Sequence, residues 1–341
     1  MIGILYALAS AALFGLSAPL AKILLGGVSP WLLAGLLYLG SGLGLALVRL
    51  LWHSKETGIQ KADLPWLAAA ILSGGVAGPV LLLFGLARSS ASEASLLLNL
   101  ESALTLAMAW VIFKENVDRR LLLGAAAIVS GAVVLSWPRD PSLGLGWGPV
   151  LIAGACLAWA IDNNFTRKVS ASDPMQIAMV KGLVAGAANV TIALALGASW
   201  PAGILVLESA VVGFLGYGIS LTLFVLALRH LGTARTGAYY SLAPFIGAAA
   251  AIALLGDPVT MSFVAGGILM AIGLWLHLTE RHLHLHEHEP MEHDHLHTHD
   301  EHHQHRHASD VPPEPHAHPH RHRRLVHRHL HYPDIHHRHT H

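Results

Sequence analysis

Residues Leu82–Glu115, LLFGLARSSASEASLLLNLESALTLAMAWVIFKE, read as two membrane-crossing helices joined by a tight polar turn. The stretch returns in altered form at Leu223–Asp257, LFVLALRHLGTARTGAYYSLAPFIGAAAAIALLGD. Arg88 falls near Arg229, Ser102 near Pro244 and Glu115 near Asp257, an offset of about 141–142 residues. A repeat of that length is half of the protein, not a solenoid unit.

Composition agrees with a membrane chain. Of 341 residues 53% are hydrophobic and 12% charged, about half the charge of a soluble domain. The average covers two regions. Residues 1–278 are almost wholly apolar, with Gly and Ala throughout, and residues 279–341 are polar and rich in His. A soluble core could not absorb so many apolar runs. The single cysteine, Cys156, excludes an internal disulfide framework and a Cys-cluster metal site. No cleavable signal peptide is expected, because the first apolar run begins at Ile2 and is long enough to span.

Ten apolar runs near 20 residues each predict ten spans: about 2–24, 30–51, 64–87, 91–113, 120–137, 146–167, 174–197, 204–228, 233–255 and 259–278. With the N-terminus in the cytoplasm, Arg49, Lys55, Lys61, Lys114, Arg119, Arg120, Arg167, Lys168, Arg229 and Arg235 fall on the cytoplasmic side. The opposite side keeps Arg88 and Arg139, with Lys22 near a span end. The positive-inside rule then predicts both termini in the cytoplasm. The expected organisation is a five-span repeat at 1–137, a linker at 138–145, a second repeat at 146–278 and a disordered tail at 279–341. Five is odd, so the second repeat enters the membrane upside down, a device that lets secondary transporters open a midplane site to each side in turn.

The chain resembles the drug/metabolite transporter superfamily in its EamA-type, ten-helix branch. The residues that carry the resemblance are the Trp159-to-Lys168 segment, the small-residue spans 4 and 9, and the acidic residue closing each. Glu115 and Asp257 stand where that family has Leu-Gly-Glu, here Phe-Lys-Glu and Leu-Gly-Asp. The family's Leu-Glu-Pro appears as Leu100-Glu101-Ser102 and as Leu242-Ala243-Pro244. The resemblance covers about residues 1–278. It implies an all-α membrane protein with a central cavity lined by spans 1, 3, 4, 6, 8 and 9, spans 5 and 10 flanking it. Substrates in the family include amino acids, nucleotide sugars and drugs.

Charges inside a bilayer are expensive and usually face a polar cavity or a partner. Glu101, well inside span 4, is the first candidate for a substrate or proton contact; the alternative is a carboxylate anchored for packing. Asn99 precedes it by two residues and points elsewhere on the helix. Asp162, Asn163 and Asn164 form a polar cluster in span 6, with Arg167 or Lys168 as alternative partners of Asp162. Lys181 in span 7 is placed to pair with Glu101 or Asp162, or to bind an anionic group. Tyr239, Tyr240 and Trp159 offer rings and hydrogen bonds near the cavity, or simple packing. There is no G-x-S-x-G elbow, P-loop or H-E-x-x-H, so no catalytic residues and no enzyme are expected.

Of 26 histidines, 23 lie beyond residue 281. Alternating His-x-His with interleaved Asp and Glu suits Zn, Ni, Co or Cu(II), for which imidazole is a common ligand. The expected ligands are His282, His284, His286, His288, His293, His295, His297, His299, His302, His303, His305 and His307. No cofactor is required by this reading, and divalent metals are optional partners beside the lipid bilayer and a small solute. No nucleic-acid partner is expected, and a homodimer stays open.

The leading expectation is a secondary transporter of a small organic solute, an exporter in the inner or plasma membrane. A transition-metal transporter fed by the tail is the rival. A membrane-held metal buffer or sensor is the third reading.

Overall fold

The computed structural model describes residues 2–51, 58–112, 119–137, 146–169, 172–279, 283–288, 292–297, 316–321 and 325–330. The expected linker 138–145 and Lys55, Lys114, Glu115, Arg139, His282, His299, His302, His303, His305 and His307 lie outside the described residues.

Each apolar run is helical. Spans 1 and 2 are α1 (Ile2–Leu24) and α2 (Pro30–Leu51). Span 3 is composite: α3 (Leu64–Ala70), a π-helical segment Ile71–Ala77, then α4 (Gly78–Leu86). Span 4 is α5 (Ala91–Leu97) and α6 (Leu100–Val111), broken by a turn at Leu98 and Asn99. Spans 5, 6 and 7 are α7 (Arg119–Ser136), α8 (Trp147–Val169) and α9 (Pro174–Ala195). Span 8 runs through α10 (Gly203–Gly213), a second π-helical segment Phe214–Ile219, and the start of α11 (Ser220–Tyr240). The rest of α11 and α12 (Ala243–Leu255) make span 9, and α13 (Met261–Leu278) is span 10.

One boundary differs from expectation. The interval 229–232, expected to separate spans 8 and 9, is helical within α11. Helical backbone continues across Arg229, His230, Leu231 and Gly232 instead of opening into a loop. The chain nevertheless reverses there. The rings of Phe224 and Tyr240 lie 4.7 Å apart, whereas sixteen residues of straight helix would separate them by about 24 Å.

Among the described residues, seven helical stretches are long and apolar enough to cross a membrane: Ile2–Leu24, Pro30–Leu51, Lys61–Leu86, Arg119–Ser136, Pro174–Ala195, Gly203–Ala227 and Met261–Leu278. The other runs fall short for visible reasons. Spans 4 and 9 are broken by their turns, and α8 carries Asp162, Arg167 and Lys168. The bundle's outside is apolar as well: Leu43, Leu47, Leu123, Ile204 and Ile268 are all exposed. Lipid, not water, suits such a surface.

The two halves repeat in detail. The π-helical segments Ile71–Ala77 and Phe214–Ile219, and the turns at Leu98–Asn99 and Ser241–Leu242, recur at an offset of 143 residues, just beyond the 141–142 read from the sequence. Equivalent helices also pack against each other antiparallel. Gly42 meets Gly182 and Leu183 while Gly35 meets Asn189 and Val190, so α2 and α9 run in opposite directions. In α7 and α13, Gly124 meets Gly273 and Gly131 meets Gly266. A Cβ on Gly131 would stand 2.7 Å from the Gly266 carbonyl oxygen, so only glycine permits this approach. Antiparallel contact between equivalent helices requires a two-fold axis across the bundle, which makes the repeat an inverted one.

The tail adds four short segments to the described residues. Its described parts are four strands: β1 (Leu283–His288), β2 (Glu292–His297), β3 (His316–Arg321) and β4 (Leu325–Leu330). β1 pairs with β4 and β2 with β3, both antiparallel, so one ladder nests inside the other along the chain. Disorder is what composition alone predicts. The strict two-residue alternation of Leu-His-Leu-His-Glu-His and Glu-His-Asp-His-Leu-His is a strand pattern, and the segments adopt it.

Candidate functional site

Charged and polar side chains from both halves meet where α6, α8 and α9 face the π-helical segment of span 3. Lys181 of α9 donates to both carboxylate oxygens of Asp162 on α8, at 2.6 and 2.7 Å. Thr166, one turn along α8, donates to Asp162 Oδ1 at 2.8 Å. The pair is largely buried, and two charges in such a place persist because each is neutralised and hydrogen-bonded. Of the partners open to Lys181 from sequence, the structure selects Asp162. Lys181 is likewise the cation on Asp162; the side chains of Arg167 and Lys168, its other expected partners, lie outside the described ones.

Space for that pair comes from the π-helical segment. A Cβ built on Gly74 would overlap the Asp162 carboxylate. A π turn also leaves carbonyls without their usual helical partners, and side chains answer here. Trp159 Nε1 and the Tyr38 hydroxyl both donate to the Gly74 carbonyl, at 3.0 and 2.9 Å. Asn189 Nδ2 donates to the Gly75 carbonyl at 3.1 Å. Trp159 is therefore a fixed wall that ties α8 to span 3.

The break in span 4 positions Glu101. The helix restarts at Leu100, and Glu101 accepts a 2.7 Å hydrogen bond from Asn163 Nδ2 of α8. Glu101 is half-buried and Asn163 exposed, so this contact is reachable. Cys156 donates to the Leu97 carbonyl at 3.6 Å, meeting one of the acceptors the break leaves free. Glu101 lies within electrostatic reach of Asp162, Lys181, Tyr38 and Tyr240.

Aromatic rings continue from this point. Tyr240 packs on Phe14 and Phe224, with centroids 5.6 and 4.7 Å apart. Tyr217 joins Phe14 to Tyr38, at 6.0 and 5.6 Å. Tyr239, the neighbour of Tyr240, is half-buried.

Two expected polar residues turn away. Asn99 bonds the Leu96 carbonyl at 2.9 Å and lies against Met270 of α13. Asn164 bonds the Ala160 carbonyl on its own helix at 2.8 Å. Sequence reasoning missed Tyr38, Phe14, Tyr217, Thr166 and Gly74. The adjacent glycines 74 and 75 in mid-span, with a lone Tyr in span 2, were the available signals.

Each end of the bundle has its own clasp. At one end Arg49 pairs with Asp173, the N-cap of α9, and Ser172 donates to Asp63 at 3.1 Å. At the other, Lys22 donates to the Leu86 and Ser89 carbonyls at 2.6 and 2.8 Å, and Asp257 accepts from the Ser92 amide at 2.7 Å. Small residues close the bundle beside Ser92: a Cβ on Gly247 would stand 2.7 Å from the Gly15 carbonyl oxygen and 2.9 Å from Ser95 Oγ.

Comparison with known proteins agrees with this architecture. The EamA-like transporter family matches residues 1–137 and again 146–279. An uncharacterized transporter of Methanothermobacter thermautotrophicus is 30% identical over 281 residues, 77% of this chain and 82% of that protein. A probable amino-acid metabolite efflux pump of Salmonella typhimurium is 27% identical over 205 residues, 55% of this chain and 67% of that protein. A solved crystal structure shares the fold with a TM-score of 0.59 at 17% identity, covering 80% of this chain and 95% of the other. The chain belongs to the EamA-like transporter family and is an integral membrane transporter.

Proposed function

We propose that this member of the EamA-like transporter family is a secondary exporter of a small organic solute bearing a protonated amine, working by alternating access. One observation carries the substrate class: Asp162 is neutralised by Lys181, whereas Glu101 receives only the neutral amide of Asn163 among the described contacts. Glu101 is thus the carboxylate of this cluster left to meet a cation. Aromatic faces attract cations and accept apolar bodies; Tyr38 and Tyr240 lie within electrostatic reach of Glu101, and Phe14 and Tyr217 link their rings. The same carboxylate binds either a proton or the amine, so exchange of one for the other couples export to proton entry.

The name of the Salmonella relative, an amino-acid metabolite efflux pump, agrees with this class. The positive-inside distribution supports cytoplasmic termini in the inner or plasma membrane. For the rival reading of metal transport, the described membrane residues offer no group of three His, Cys, Asp or Glu side chains.

The test is flux in proteoliposomes, screened over amino acids, amines, neutral metabolites and Zn²⁺. Glu101→Gln is expected to insert normally and to lose proton-driven amine flux. Unaltered flux with unchanged proton dependence removes Glu101 from the mechanism, and Zn²⁺ flux without amine flux overturns the substrate class.

A further inference from the structure

A groove on the flank of the bundle stands apart from the carboxylate cluster. It lies between α2, α4 and the start of α8, at the end where Lys22 grips the Leu86 and Ser89 carbonyls, and its volume is about 430 Å³. Trp31 and Trp147 enter it from the first turns of α2 and α8. Leu81, Phe84 and Leu151 supply apolar wall. Arg88 carries the one charge among the residues lining it.

Phe84 fixes that charge in place. Arg88 Nη1 donates to the Phe84 carbonyl at 2.9 Å, and the guanidinium carbon lies 5.7 Å from the Phe84 ring centroid. Trp31 meets the same ring edge-on, with centroids 6.3 Å apart. Arg88 stays exposed, and among the described contacts the carbonyl takes one of its N–H donors. Trp31 Nε1 is buried with no hydrogen-bond partner among the described contacts, although a buried indole N–H normally has one.

The surroundings select the occupant. Trp147, Val150 and Leu157 of α8 are exposed, so this side of the transporter faces lipid. Tryptophans of membrane proteins gather at the level of the headgroups. Leu81 lies about two turns along the helix from Arg88, and Leu151 about one turn from Trp147. The groove thus has a cationic mouth near the headgroups and an apolar trough leading away from it. The fork of an arginine matches the oxygens of a phosphate, and an apolar trough suits an acyl chain.

We propose that this groove binds an anionic phospholipid, with the phosphate on Arg88 and one acyl chain along Phe84, Leu81 and Leu151. The unpaired indole of Trp31 is a second donor in the same lining. Arg88 sits between Leu86 and Ser89, the residues that Lys22 holds, so the bound headgroup rests on the connection that closes this end of the bundle. A lipid that binds the folded bundle and not the unfolded chain raises its stability.

The test is native mass spectrometry of the full chain in detergent, with dioleoyl phosphatidylglycerol or dioleoyl phosphatidylcholine added. The wild type is expected to retain the anionic lipid about fivefold better than the zwitterionic one, as one arginine at a membrane surface allows. Arg88→Gln should abolish that preference, while Lys61→Gln, at the other end of the bundle, keeps it. Leu151→Trp narrows the trough and should weaken retention of both lipids. Thermal unfolding gives a second reading: phosphatidylglycerol should raise the melting temperature of the wild type and not of Arg88→Gln, and inorganic phosphate should raise neither. Equal retention of the two lipids by the wild type, or a preference unchanged in Arg88→Gln, overturns the site. So does an equal thermal shift with inorganic phosphate, which needs no trough, or a dimer in place of the lipid adduct, which gives the groove to a second copy of the chain. None of these substitutions touches Glu101, so failure here leaves amine export standing.

Discussion

Lys181 closes on Asp162 with two hydrogen bonds, and Glu101 on the next wall is left with Asn163. A single lysine thereby separates two carboxylates that look alike in the sequence. One becomes a fixed structural charge and the other an accessible one.

The buried pair should behave as a unit. Removing one member leaves an unpaired charge, so Asp162→Asn or Lys181→Met is expected to cost about 3–5 kcal/mol. The double variant should recover most of that loss, because it removes both desolvated charges. Thermal unfolding in detergent measures the stabilities. Amine flux by the double variant should persist, in contrast to Glu101→Gln.

Gly74→Ala should be far worse than its chemistry suggests. The added methyl meets the Asp162 carboxylate, while at Gly203 an added Cβ meets nothing within 4 Å. Overpacking costs about 1–3 kcal/mol, so Gly74→Ala is expected to lower the melting temperature in detergent by several degrees. Gly203→Ala should leave it nearly unchanged.

Asn163→Leu removes the one donor that Glu101 has among the described contacts. A hydrogen bond to a charged group is worth about 1.5–3 kcal/mol. The Michaelis constant for the amine and the pH at half-maximal flux should therefore both shift, with folding unaffected because Asn163 is exposed. Asn164→Leu is the comparison, since Asn164 bonds only the Ala160 carbonyl of its own helix in the described contacts. It should leave both transport constants in place.

Trp159→Phe and Tyr38→Phe each delete one donor to the Gly74 carbonyl. Each alone should cost about 1 kcal/mol, because the other donor remains. Together they leave that acceptor bare and should cost more than the sum, a coupling that a double-mutant cycle in thermal unfolding reads directly.

The sequence exposed the architecture because lipid imposes long apolar runs and an inverted repeat copies its punctuation. The correspondence of Ser102 with Pro244 foreshadowed matched turns at Leu98–Asn99 and Ser241–Leu242. The pairing of Lys181 was not legible, since helix periodicity says which face a residue takes and not which neighbouring helix meets it. Tyr38 and Phe14 were hidden for a related reason: an aromatic in an apolar run looks like packing until a freed carbonyl or a second ring appears beside it.

The π-helical segments of spans 3 and 8 close their hydrogen bonds one residue later than an α-helix does. In span 3 the wider turn admits foreign donors: Trp159 and Tyr38 reach the Gly74 carbonyl and Asn189 the Gly75 carbonyl. The inverted halves carry this widened turn at the same station, so the backbone of each half is open to side chains of its neighbours at mid-span.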